Sequence, residues 1–226
     1  MTNCIQCVSL SIVKLTAFPA SAITPHVNMT FDSKSDSKEA AILTAAFEAF
    51  ARYGLRRTSM QDIAKGAGMS RAALYLRFAG KEDIFRALAR HHFAQAHDDL
   101  RAALARDTPL ADTLMAVFVA LDGKISEAIM TSPHAAELID NKTAFIDDQV
   151  IEAEAALVAT LGEWIANGVA AGRMSLDGIA GTPAEVAGTI IATKYGLKEA
   201  ARSFADYRAG QARAAALFAK SLRVLP

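Results

Sequence analysis

The chain has 226 residues, 52% of them hydrophobic, and its 24 Lys or Arg are balanced by 24 Asp or Glu. That length holds one large or two small domains, and zero net charge excludes a uniformly basic polyanion binder. A mean hydropathy of +0.21 supports a sizeable core. No apolar run is long enough to span a membrane, and abundant alanine with few aromatic residues favours helix over sheet.

Residues 1–35 show no sustained apolar period and contain Pro19 and Pro25, so a disordered N-terminal extension is expected there. Cys4 and Cys7 form an isolated Cys-x-x-Cys. A zinc site needs a second pair of ligands and a redox motif needs a βαβ setting; neither is visible, and the pair reads as incidental. Ala20-Ser21-Ala22 resembles a signal-cleavage site, but a charged n-region is missing and Lys14 interrupts the apolar stretch. A cytoplasmic protein is the expectation. Met29 is read as the natural start, with residues 1–28 as a mis-assigned extension.

The first helix is predicted over 37–53, where Leu43, Phe47 and Phe50 with Ala46 make one apolar stripe and Gly54 supplies a stop. A second helix is predicted from Thr58, whose Thr-x-x-Gln spacing to Gln61 matches a capping box, with Ile63, Ala64 and Ala67 inward. Gly68 provides the positive φ of a tight turn. Ser70 caps a third helix ending near Phe78, with Leu74 returning to the core. A small residue at 64, a glycine at 68 and a leucine at 74 have the spacing of a DNA-binding helix-turn-helix.

From Lys81 a long helix is predicted to about 105. Further helices are predicted over about 108–130 (opened by Pro109), 132–141, 144–171 (closed by Gly172), 182–203 (opened by Thr182-Pro183) and 206–224 (capped by Asp206). The fold expected is all-α with nine helices. Charge is unevenly distributed: between Asp36 and Arg90 there are ten Lys or Arg and six Asp or Glu, a net +4 on that span and −4 on the remainder. A basic N-terminal module suits docking on phosphate.

The stretch TSMQDIAKGAGMSRAALYLRFAGKED (58–83) resembles the N-terminal signature of the TetR/AcrR family of transcriptional regulators, with good agreement over about 38–88. The C-terminal two thirds agree in helix count and rough length. The resemblance implies a helix-turn-helix domain over 36–88 and an effector-binding and dimerisation domain over 89–226. It implies a homodimer that represses from a palindromic double-stranded operator and lets go when a small hydrophobic effector binds. Carried onto this sequence, Thr58 holds a backbone phosphate. Ser70, Arg71, Ala72 and Ala73 open the recognition helix, and Tyr75 and Lys81 grip phosphate. Two departures stand out: Ala72 where the family often has glycine, and Arg77 where it often has an aromatic residue or histidine. Gly80 replaces a frequent serine cap.

Chemistry supports the same positions. Arg71 can bond guanine O6 and N7 together, and the alanines can offer contact to thymine methyls; Thr58, Tyr75 and Lys81 would position without reading sequence. Arg71 could equally be a solvated surface arginine, and Arg77 could contact phosphate, a base or neither. Small residues on the last two helices (about 182–224), among them Gly188, Ala192, Gly196, Ala212 and Ala216, fit a four-helix dimer seam. Phe93, Met115, Phe118, Phe145 and Trp164 are candidate effector-pocket liners, with His134, Glu137 and Asn141 as polar anchors. His91, His92 and His97 lie poorly for shared metal ligation and read as a solvated face. No cofactor, metal or catalytic group is implied. The chain lacks a nucleophile–base arrangement, an HExxH and a phosphate-cradling glycine loop, which argues against an enzyme built on a helical bundle. An architectural DNA-binding protein without an effector is the alternative that sequence separates least well.

Overall fold

The computed structural model describes residues 37–123, 125–135, 137–138 and 148–224. The expected extension over 1–35 lies outside them. The described residues form nine helices and no strand: α1 (Ser37–Tyr53), α2 (Met60–Gly66), α3 (Arg71–Tyr75), α4 (Lys81–Leu104), α5 (Leu110–Asp122), α6 (Ser126–Thr131), α7 (Asp148–Ala170), α8 (Pro183–Ala200) and α9 (Phe204–Ser221). The number matches expectation, but the partition differs. The single helix expected over 108–130 is divided at Gly123, whose φ of 60° and ψ of −175° are open essentially to glycine alone. The apolar period runs on from Phe118 and Leu121 to Ile125 and Ile129, although Asp122-Gly123 is a turn dipeptide.

Two apolar cores organise the chain. In the head, Ile42, Leu43, Ala46 and Phe50 of α1 pack with Ile63 and Ala64 of α2, Leu74 of α3, and Ile84 and Ala87 of α4. In the body, α4 packs on α5 and α7, α7 on α8, α8 on α9, and α9 back on α5, closing a ring of five helices. Its interior is filled by Leu100, Leu114, Val117, Phe118, Leu161, Ile165 and Ile190, all fully buried. Helix α4 belongs to both cores, with Ile84 and Ala87 in the head and Phe93, Ala96 and Leu100 in the body. Among the described residues no helix is long and apolar enough to cross a membrane.

The caps of the last two helices carry one correction. Thr182 caps α8 with Glu185 as its reciprocal partner and Pro183 at the first position. The last helix is capped by Ser203, whose hydroxyl accepts the Asp206 N–H at 3.0 Å. Asp206, expected as the cap, stands three residues further in; serine's shorter side chain is the one at the extended residue where capping geometry exists.

The C-terminus of α5 is tied to the last helices by a buried polar knot. Asp122 is fully buried. It accepts the Tyr207 hydroxyl at 2.7 Å and the Gln211 amide at 2.8 Å, with Arg208 at 3.6 Å. The ammonium of Lys194 donates to the Leu121 carbonyl at 3.0 Å, placing a cation where the α5 dipole is negative. Burial and the Asp122 carboxylate both push the Tyr207 hydroxyl pKa up, so it stays a donor. Asp122→Ala strands two buried donors, and a loss on the order of 3 kcal/mol is expected in denaturant unfolding; a loss within error would show that the knot contributes no net stability.

Candidate nucleic-acid interface

The α2–turn–α3 unit is built from local rules. Ser59, extended at φ −107° and ψ 159°, caps α2. Its hydroxyl accepts the Asp62 N–H at 3.2 Å, and the Asp62 carboxylate accepts the Ser59 N–H at 2.9 Å. The Ser59 hydroxyl, then its N–H, then Lys65 hold the Asp62 carboxyl below the usual carboxylate range. Because the folded value is depressed, this cap's contribution is present above the unfolded pKa and fades as acid titrates the folded group. After α2, Gly68 takes φ +67° with open space around it. The Met69 N–H returns to the Ala64 carbonyl at 2.9 Å. Ser70 then caps α3, accepting the Ala73 N–H at 3.1 Å.

Helix α3 is anchored by Leu74, which is fully buried, and its other faces are open. Arg71 and Ala72 are exposed and Ala73 is half-buried, while Tyr75 is 45% and Leu76 88% exposed. Arg71 lies one turn before Tyr75. Its guanidinium sits 5.3 Å from the ring centroid and donates to the Tyr75 hydroxyl at 3.3 Å, so the two side chains are pre-arranged together. Arg77 is exposed just beyond the helix. Gly80 gives α4 no side-chain cap.

Two expected phosphate contacts sit differently. Thr58 was expected to open α2 and form a capping box with Gln61. It is instead buried, 2% exposed, and its hydroxyl donates to the Gly54 carbonyl at 2.8 Å and lies 3.2 Å from the Ala49 carbonyl. The cap is Ser59, so the Thr58 side chain does not face outward as a phosphate contact requires. Lys81 reaches back to the same turn and donates to the carbonyls of Arg56 at 2.9 Å and Thr58 at 3.1 Å. Two of its three N–H bonds serve the protein.

The expected pocket residues separate into groups. Phe93 and Phe118 are buried in the body core, with Met115 and Trp164 packed against it. His134 and Glu137 do not join them. Glu137 accepts the Arg56 N–H at 2.7 Å, and His134 lies beside Gly54, so both are turned to the head. Asn141 and Phe145 fall outside the described residues. The α4 histidines are half-buried rather than solvated, and His97 bonds the Thr160 hydroxyl of α7 at 2.8 Å. Sequence reasoning missed Ser59, although Ser-x-x-Asp was readable, and missed the bare side chain of Leu76.

Comparison with known proteins agrees with this geometry. Residues 42–88 match the family model described as bacterial regulatory proteins, tetR family. Residues 42–88 are thus similar to the DNA-binding domain of that family. The chain is 28% identical over 138 residues to the HTH-type transcriptional repressor KstR2 of Mycobacterium tuberculosis, covering 59% of this chain and 69% of that one. It is 31% identical over 121 residues to the HTH-type transcriptional regulator TtgR of Pseudomonas putida, covering 51% and 56%. A TetR transcriptional regulator from Streptomyces coelicolor superposes with a TM-score of 0.56 at 22% identity, covering 83% of this chain and 99% of that one. Both named relatives are transcriptional regulators.

Since no atom stands within 4 Å of a Cβ placed on Gly68, its role is conformational only. Gly68→Ala is expected to cost about 1–2 kcal/mol in thermal or denaturant unfolding, without the larger loss of a steric clash.

Proposed function

We propose that two copies of this chain bind a two-fold symmetric DNA operator, each laying α3 in the major groove, and that a small hydrophobic effector in the body releases them. One observation carries the DNA reading: Leu74 is the one fully buried side chain of α3, leaving Arg71, Ala72, Tyr75 and Leu76 open beside one another. An α-helix fits the major groove, and the side chains at its N-terminus reach base edges. Arg71 reads a guanine, braced by Tyr75. Leu76 and Ala72 offer apolar contact. Ser59 at the start of α2 takes the phosphate role first assigned to Thr58, and Lys81 lends its remaining N–H. That KstR2 is named a repressor supports repression as the sign of the response.

The dimer reading rests on the outer face of α8 and α9. Gly188 and Gly196 border open space. Ala192, Ala212 and Ala216 are exposed, and Leu217 is 67% exposed. Small residues let helices approach closely, and two helices from each copy make a four-helix seam. A two-fold pair would set the recognition helices about 34–36 Å apart. The effector would lie among Phe93, Met115, Phe118 and Trp164.

Two outcomes are expected. Arg71→Ala loses discrimination at one base pair per half-site, about 1–3 kcal/mol, in competition binding against a selected operator and its point variants; unchanged preference removes Arg71 from the reading role. Ala212→Arg places a charged side chain on the seam, and sedimentation is expected to show monomer where the parent chain is dimeric. A dimer of undiminished affinity would move the interface elsewhere.

A further inference from the structure

The contacts between body and head converge on one turn. From the body, the segment after α6 reaches the end of α1: the Ser132 hydroxyl donates to the Ala51 carbonyl at 2.7 Å. Leu138, 7% exposed, completes the head's own apolar core. Glu137 accepts the Arg56 N–H at 2.7 Å. The approach is permitted by Gly54, at φ +79°, because a Cβ there would collide with Glu137 Oε2 and stand 3.1 Å from His134 Nδ1. From the other side, Lys81 of α4 holds the Arg56 carbonyl. Arg56 is therefore gripped at its N–H by the body and at its carbonyl by α4.

The chain of contacts continues away from DNA. Helix α6 runs from Ser126, whose hydroxyl bonds the Asp122 carbonyl at 2.8 Å and lies 3.4 Å from the Lys198 ammonium of α8, to the Ser132 contact on α1. One end of this short helix meets the knot that ties α5 to the last two helices; the other meets the head. Head contacts made to backbone atoms fix position independently of which side chains the head carries.

We infer that Glu137 is a positioning residue for DNA reading: its carboxylate, carried by the body, holds the Arg56 amide and so sets the angle at which the head presents α3. A hydrogen bond from a backbone N–H to an ionised carboxylate is among the stronger ones. It acts beside α4 as a second, separate hold of the body on the head. The inference rests on the DNA-binding reading above.

Two readouts test it, one free of DNA. Spin labels on Lys65→Cys in α2 and Glu163→Cys in α7, in a Cys4→Ser, Cys7→Ser background diluted with unlabelled chain, report the head–body distance distribution. The parent is expected to give a narrow distribution, Glu137→Ala a clearly broader one, and Glu137→Gln, which keeps an acceptor oxygen, a narrow one. Should Glu137→Ala not fold by circular dichroism, Glu137→Asp keeps the charge but falls short of Arg56 and is expected to broaden likewise. In the second readout, operators selected from a random duplex library are lengthened or shortened by two base pairs between half-sites. The parent is expected to discriminate by about tenfold or more and Glu137→Ala by about threefold or less. An unbroadened distribution in Glu137→Ala overturns the inference. So does broadening with undiminished spacing discrimination. Failure of the parent chain to select any duplex would sink the regulator reading instead, while the distance readout still decides whether Glu137 holds the head.

Discussion

A five-residue helix does not persist in water by its own hydrogen bonds, so α3 exists because Leu74 is buried. Removing that side chain from water is worth about 1.5–3 kcal/mol, and the rest of the helix depends on this anchor. Because one side chain does the anchoring, the remaining faces stay free. Ser70 starts the helix and Gly68 aims it; neither occupies the open surface. The head thus separates the residues that hold α3 from those that can touch a ligand, and Arg71, Ala72, Tyr75 and Leu76 fall in the second group.

The same separation holds at larger scale. The body ring is filled by aliphatic and aromatic side chains, while its buried charges gather at the end of α5. There Asp122 meets Tyr207, Gln211 and Arg208, and every buried side-chain polar atom among the described residues has a partner. The knot fixes the last two helices, whose outer face carries the small residues, to the helix that leads into α6. From there contacts pass to the Ala51, Gly54 and Arg56 backbone. Two routes therefore join body and head: the unbroken α4 and the shorter path through α6 and Glu137. Rigid elements joined at fixed points are what a two-state response needs, since packed cores switch between arrangements and do not deform continuously.

Local rules were legible and long-range ones were not. The head elements follow from spacings of three and four residues, from Gly68 and from Ser70, all within one short window. The choice between Thr58 and Ser59 as cap was not decidable by pattern, because Gln61 and Asp62 give each a partner at the right distance. Only the inward turn of Thr58 toward Gly54 separates them. The division of the helix after Pro109 is masked by an apolar period that continues through Leu121, Ile125 and Ile129, although Asp122-Gly123 is a turn dipeptide. His134 and Glu137 read as pocket anchors because they are polar residues among the middle helices. Their actual partners lie 81 residues away in sequence for the Glu137–Arg56 bond, and nothing in either segment marks that pairing. Asp122 and Tyr207, 85 residues apart, were silent for the same reason.

The central claim is that α3 enters a groove of duplex twice in each assembly. Hydroxyl-radical footprinting of the full chain on a duplex selected from a random library tests it most directly. The account predicts two protected windows on one face of the DNA, about one helical turn apart, appearing together as protein is added. A single window, or uniform protection along the duplex, would contradict it.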